Sequence, residues 1–142
     1  MKTAKEKIFF DTDVILDIST GREPFFADSA KLLSLVEKGE YKGFASSLSF
    51  SNIYYIHRKF TDHTVAVNFL KKLRLLVTVL NVNDAVIQKA LESGFKDFED
   101  AVQYYACLQN KIDFIITRNI DDYKKSDISV YTPSEFLALK MI

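Results

Sequence analysis

A single cysteine, Cys107, stands among the 142 residues. The chain can therefore form neither an internal disulfide nor a thiolate cage for zinc, and a lone thiol of this kind is expected to be a buried apolar residue. Proline occurs twice and glycine four times, which leaves little punctuation for a flexible hinge. An excess of charge is lacking too, because nineteen basic residues balance nineteen acidic ones. Nucleic-acid binding would have to rely on a local patch rather than on overall attraction. Arg58-Lys59, Lys71-Lys72-Arg74, Arg118 and Lys124-Lys125 offer such patches, and each also reads as an ordinary solvated face. No apolar stretch approaches the roughly 20 residues that span a bilayer, and Met1 to Phe10 is too short and too polar for a secretory signal. A cytoplasmic protein without membrane association is expected. What is present, 48% hydrophobic and 27% charged residues, is the composition of a globular chain, in a length suited to one domain over residues 1–142.

Short apolar runs at Ile8-Phe10, Gly43-Ala45, Leu75-Leu80, Phe114-Ile116 and Ile128-Tyr131 read as strands. The links between them are mostly long. Parallel crossovers need a dozen or more residues and hairpins only a few, so the spacing predicts a mainly parallel five-stranded sheet covered by helices on both faces. Asp28 reads as the cap of a helix through Lys38, ended by Gly39 in the left-handed conformation. Ser47 or Ser49 can start a helix through Phe60, and Val67, Leu70 and Leu73 give His63 to Arg74 a helical face. Asn83 opens another helix, stopped by Gly94, and the next runs from about Phe98 to Asn110. Thr132-Pro133-Ser134-Glu135 combines an N-cap, a proline at the first helical position and a capping-box glutamate, so the chain should finish in a helix. Only the link from the fourth strand to the fifth is short for a helix.

The acidic residues make the most informative pattern. Asp11 closes the first apolar run, Asp97, Glu99 and Asp100 open the helix that leads to the fourth strand, and Asp121 and Asp122 follow that strand. Each has an ordinary reading: Asp97 as an N-cap, Asp100 as a first-turn acid favoured by the helix dipole, Asp11 as a turn residue. A parallel sheet, however, gathers the residues that follow its strands into a crevice beyond their C-termini. If the first and fourth strands are neighbours where strand order reverses, Asp11 and the segment Thr117 to Asp122 flank that crevice and the Asp100 helix leans over it. Carboxylates gathered there repel one another unless a hard cation neutralises them, which points to Mg²⁺ or Mn²⁺.

At these residues the chain resembles a PIN domain, the small metal-dependent nuclease fold used by VapC-like toxins, over almost its whole length. Phe9-Phe10-Asp11-Thr12-Asp13-Val14-Ile15-Leu16-Asp17 resembles the opening of that family, with Asp13 where Asn is more usual. Arg22-Glu23-Pro24-Phe25 is similar to one branch. Phe98-Glu99-Asp100-Ala101 resembles the segment bearing the third acid, and Thr117-Arg118-Asn119 with Asp122-Tyr123 resembles the later Thr-Arg-Asp/Asn element. The pattern departs from many members at Asn52, where a glutamate is frequent, and at Asn119, where an aspartate is; neutral amides there weaken cation binding.

The resemblance implies an α/β fold, a three-layer α/β/α sandwich, and a Mg²⁺- or Mn²⁺-dependent endoribonuclease acting on single-stranded RNA. It implies Asp11 and Asp100 as metal ligands, with Asp122 and Asn119 in the catalytic set. Thr12, Asn52, Asp97, Thr117 and Arg118 would brace the acids, orient waters or contact phosphate. It also implies a type II toxin with a cognate antitoxin, and a homodimer. No histidine base is required, and His57 and His63 read as surface or helix-end residues. Tyr54, Tyr55, Tyr104 and Tyr105 could stack bases, but aromatics at helical spacing are commonly core. Two rival readings stand beside this one. One is a degenerate PIN domain that binds RNA or a protein without cleavage. The other is a haloacid-dehalogenase-like phosphatase, suggested by Asp11-Thr12-Asp13, although Asp121-Asp122 follow Thr117 too closely to leave room for that family's lysine motif.

Overall fold

The computed structural model describes residues 4–140. Five strands, β1 (Lys7–Phe10), β2 (Lys42–Ser46), β3 (Val77–Leu80), β4 (Phe114–Ile116) and β5 (Ser129–Tyr131), form one sheet in the order β3-β2-β1-β4-β5. Every pairing is parallel. The central strands are apolar on both sides because both sides are covered. Ile8, Phe10, Ala45 and Ile116 face one core, and Phe9, Phe44 and Ile115 face the other. The first core is closed by α1 (Thr12–Thr20), α2 (Phe26–Glu37), α3 (Ser47–Phe60), α4 (His63–Leu76) and α7 (Pro133–Lys140), and the second by α5 (Asp84–Leu91) and α6 (Phe98–Gln109). Among the described residues no helix is long and apolar enough to cross a membrane.

All five expected strands are present, and several boundaries move for identifiable reasons. Leu75 and Leu76 belong to α4, which runs into β3 without a loop; Leu75 is 83% exposed at the helix end and has no place in a buried strand. The first crossover holds two helices rather than one. Its extra member, α1, starts directly after β1, capped by the Asp11 side chain and closed by Gly21 at φ 64°. In α2 the helix begins at Phe26, so Asp28 lies in its first turn instead of capping it. Ser46 takes the N-cap of α3, accepting from the Ser49 N–H at 3.1 Å. Glu92, not Gly94, ends α5. Asn83 and Asp97 cap α5 and α6 as expected, and Thr132 and Glu135 exchange the two bonds of a capping box at 2.9 and 3.1 Å.

Gly43 sets how closely α2 approaches the sheet. A methyl group there would lie 2.9 Å from Val36 Cγ1 and 3.2 Å from Val77 Cγ1. Gly43→Ala is therefore expected to destabilise the protein by about 1–3 kcal/mol, the usual cost of overpacking a filled core. Chemical denaturation tests this; an unchanged midpoint would show that α2 yields without strain.

Candidate active site

Strand order reverses between β1 and β4, whose ends are aligned by the Asp11 N–H donating to Ile116 O at 2.9 Å, while Thr117 N–H donates to Tyr131 O of β5 at 3.0 Å. Asp11 and Thr117 thus leave the sheet side by side at its C-terminal edge. Asp11 is buried, and its carboxylate accepts four hydrogen bonds. Oδ1 receives the Thr12 N–H at 2.7 Å and Gln103 Nε2 at 2.8 Å; Oδ2 receives the Thr117 hydroxyl at 2.8 Å and the Tyr123 hydroxyl at 3.2 Å. Burial pushes the Asp11 pKa up, and these donors pull against it. The Tyr123 phenol is itself held well above its ordinary value, by burial first and then by the Asp11 and Asp100 charges, so it stays a donor.

Behind Asp11 lies a buried polar network. Gln103 Oε1 accepts from Ser49 at 2.8 Å and from Thr12 at 3.3 Å. The Ser49 hydroxyl also bonds those of Thr12 at 2.8 Å and Ser46 at 3.0 Å. Gln103, Ser49, Ser46 and Tyr123 were not identified as site residues from the sequence alone. Nothing local marks Gln103, since a glutamine in a helix reads as solvated and its partner Asp11 is far away in sequence. Ser49 appeared only as an alternative helix start, and Tyr123 only as part of an aspartate-aromatic pair.

In front of Asp11 is the acidic mouth. Asp97 caps α6 by accepting the Asp100 N–H at 3.0 Å, which places both acids and Glu99 in one turn. The Asp100 carboxyl is pushed up to about 8, first by burial and then by repulsion from Asp11, Asp97, Asp122 and Glu99. Glu99 is raised as well, again mainly by burial, and accepts from the Asn52 side chain and, at 3.5 Å, from Thr12. A cleft of about 190 Å³ opens here, lined by Asp97, Asp100, Asp121 and Asp122 together with Lys96, Lys124 and Lys125.

The donor set fits a hydrated hard cation. It consists of carboxylate oxygens, with no thiolate or imidazole. Among the described residues no three acidic, histidine or cysteine side chains close around an ion by themselves. Mg²⁺ does not need such a cage, because one or two carboxylates commonly hold it while water and phosphate oxygens complete its shell. Crowded, desolvated acids with a raised pKa are what such an ion would relieve. A pH dependence follows. Asp100 at about 8 and Asp13 at about 7 hold protons that the unfolded chain releases near 4. Their contribution to stability is complete below the unfolded values and is lost as pH rises through the folded ones. In EDTA the melting temperature should therefore fall between about pH 5 and about pH 8, and Mn²⁺ at the upper end should restore it. A flat or rising profile in EDTA would mean that the acids are not crowded.

The remaining residues flank this centre or turn away from it. Asn119 donates to Asp13 Oδ2 at 3.2 Å, and its N–H reaches Thr117 Oγ1 at the same distance. Asp13 is raised by burial and then by the Asp11 charge, against the pull of Arg118. Arg118 does not face the acidic mouth: its Nε lies 2.8 Å from the buried Asp17 carboxylate and its guanidinium stacks on Phe25, 4.6 Å from the ring centre. It lines a separate cleft with Arg22, Leu16, Ile56 and Phe60. His57 is buried against Phe69 rather than on the surface, because α4 folds back along α3. Tyr104 is core, with its hydroxyl accepting the Asp127 N–H at 3.0 Å, while Tyr55 is exposed. Cys107 is fully buried.

Residues 7–121 match the family described as PIN domain. Ribonuclease VapC1 of Aquifex aeolicus (strain VF5) is 27% identical over 136 residues, spanning 92% of this chain and 93% of that protein. Among solved structures, a toxin-antitoxin complex from Klebsiella pneumoniae is similar with a TM-score of 0.67 at 19% identity, over 89% of this chain and 97% of that one. VapC20 of Mycobacterium tuberculosis, a sarcin-ricin loop cleaving toxin, has a TM-score of 0.62 at 17% identity, over 76% and 86% of the two chains. At these identities the structural likeness speaks for the fold.

Proposed function

The chain belongs to the PIN-domain family, and from that premise we propose that it is a divalent-metal-dependent endoribonuclease of single-stranded RNA and the toxin of a type II toxin-antitoxin pair. The observation that carries the reading is the crevice between β1 and β4, where Asp100 feels the charges of Asp11, Asp97, Asp122 and Glu99. The similarity to a ribonuclease along 92% of the chain and to a toxin-antitoxin complex supports the RNA substrate and an antitoxin partner.

Asp11 and Asp100 would hold Mg²⁺ or Mn²⁺, with Asp122 beside them. Bound there, the ion supplies Lewis acidity, acidifying water and offsetting negative charge on a phosphodiester. The protein does the rest. Asp97 fixes the turn that carries Asp100, Thr117 and Thr12 brace Asp11, and Asn52 and Asn119 orient Glu99 and Asp13. Lys96, Lys124 and Lys125 in the cleft lining offer the local positive charge that a chain of zero net charge needs to meet RNA. Exposed apolar groups on the helices, including Phe60 and Leu91, favour a homodimer.

The test is cleavage of a single-stranded RNA with Mn²⁺ and with EDTA. Turnover is expected only with the metal. RNA bound without cleavage under both conditions would favour the binding-module alternative.

A further inference from the structure

We propose that Gln103 is a positioning residue of this site, whose side-chain amide aims the Asp11 carboxylate and anchors that aim to the N-terminus of α3. The assignment rests on the crevice being a cation-dependent nuclease site. Gln103 lies in α6 and exposes none of its surface. A primary amide withdrawn from water loses about 1–3 kcal/mol for a group left unpaired, so complete burial requires that its partners be present. They are. Nε2 donates to Asp11 Oδ1 at 2.8 Å and to the Tyr123 hydroxyl at 3.1 Å, while Oε1 accepts from Ser49 at 2.8 Å and Thr12 at 3.3 Å.

Chemistry dictates which end faces which. An ionised carboxylate only accepts, so the amide nitrogen must face Asp11, and the amide oxygen is left for the hydroxyls. The partners come from the start of α1, the first turn of α3 and the turn before β5, so one planar group is fixed by three other segments of the chain. The two oxygens of Asp11 are consequently unequal. Oδ1 is pinned by two N–H donors of set direction, the Thr12 backbone and Gln103. Oδ2 meets only hydroxyls, Thr117 and Tyr123, which can rotate. Gln103 thus fixes the plane of the carboxylate through one oxygen, and the hydroxyls on the other can swing aside to free a lone pair for a ligand.

A glutamine that served the fold alone would change stability and leave ion affinity untouched. The test uses Gln103→Met, which keeps length without hydrogen bonds, and Ser49→Ala, which removes the donor behind the amide while leaving the Asp11 contact. Mn²⁺ binding is measured by calorimetry, kcat and KM on single-stranded RNA by cleavage, and folding by circular dichroism. Gln103→Met is expected to raise the Mn²⁺ Kd about 10–100-fold and to lower kcat similarly with little change in KM for RNA, as for other groups that orient metal ligands. Ser49→Ala should shift both in the same direction by less, and it decides the matter if Gln103→Met does not fold. Wild-type Mn²⁺ affinity in the folded variants, with only their melting temperatures lowered, would overturn the assignment while the nuclease reading stands. A wild-type protein that neither binds Mn²⁺ nor cleaves RNA overturns both.

Discussion

Asp11→Asn is expected to lower metal-dependent ribonuclease turnover by about a thousandfold or more, equivalent to about 4 kcal/mol of transition-state stabilisation. The fold should survive, and the hydrogen bonds say why. The asparagine carbonyl can take the place of Oδ1, where the Thr12 N–H and Gln103 Nε2 donate. Its amide nitrogen then occupies the Oδ2 position, facing the hydroxyls of Thr117 and Tyr123. Hydroxyls both donate and accept, so these two can reverse their roles. Shape and bonding persist, and only the negative charge is removed. The measurement is turnover with Mn²⁺ beside a thermal melt in EDTA for wild type and variant. Equal turnover would remove Asp11 from the chemistry. A melt lowered by many degrees would show that the hydroxyls cannot reverse.

The second large effect concerns stability. Arg118→Met should destabilise the protein by about 3–5 kcal/mol, because it strands the Asp17 carboxylate, 1% exposed, without its cation. Burial already raises the Asp17 pKa, against the pull of Arg118 and then of Arg22. Met keeps the aliphatic stem but not the guanidinium that stacks on Phe25, so the stacking is lost together with the larger ion-pair contribution. Adding Asp17→Asn should recover part of the deficit, since a neutral amide tolerates burial better than a charge. Urea denaturation of the two single variants and the double variant measures this. An Arg118 that contacts phosphate instead would leave the denaturation midpoint unchanged and raise KM for RNA.

The strands were legible because a sheet covered on both faces needs continuous apolar runs, and Phe114-Ile115-Ile116 can hardly be anything else. Caps were legible at Asn83, Asp97 and Thr132, where a side chain serves its own neighbours. The first helix was not, since β-branched Thr12, Val14 and Ile15 follow the strand without a break and the cap, Asp11, is also one of the acids of the crevice. Asp11 holds both roles, bonding the Thr12 N–H while facing other acids. Residues whose burial depends on distant segments escaped as well. Asp17 is buried because Arg118 arrives from the β4 end, and His57 because α4 doubles back on α3. The acids of the crevice show in the sequence because they follow strands or open a helix, whereas the amide and hydroxyls that bond to Asp11 carry no charge and leave no local trace.

Three crossovers of the sheet contain a pair of helices each; the last, from β4 to β5, contains only a 3-10 turn, Ile120–Tyr123. That brevity brings the Tyr123 phenol beneath Asp11. The chain has no slack there. One inserted residue between Asn119 and Tyr123 would rotate the ring out of register with its two polar neighbours, whereas an insertion between Lys38 and Tyr41, at the opposite rim of the sheet, would be absorbed as a longer bulge in solvent. Tolerance to length change is therefore lowest where the connection is shortest, and a library of single-residue insertions would trace the outline of the working end without reference to any charge.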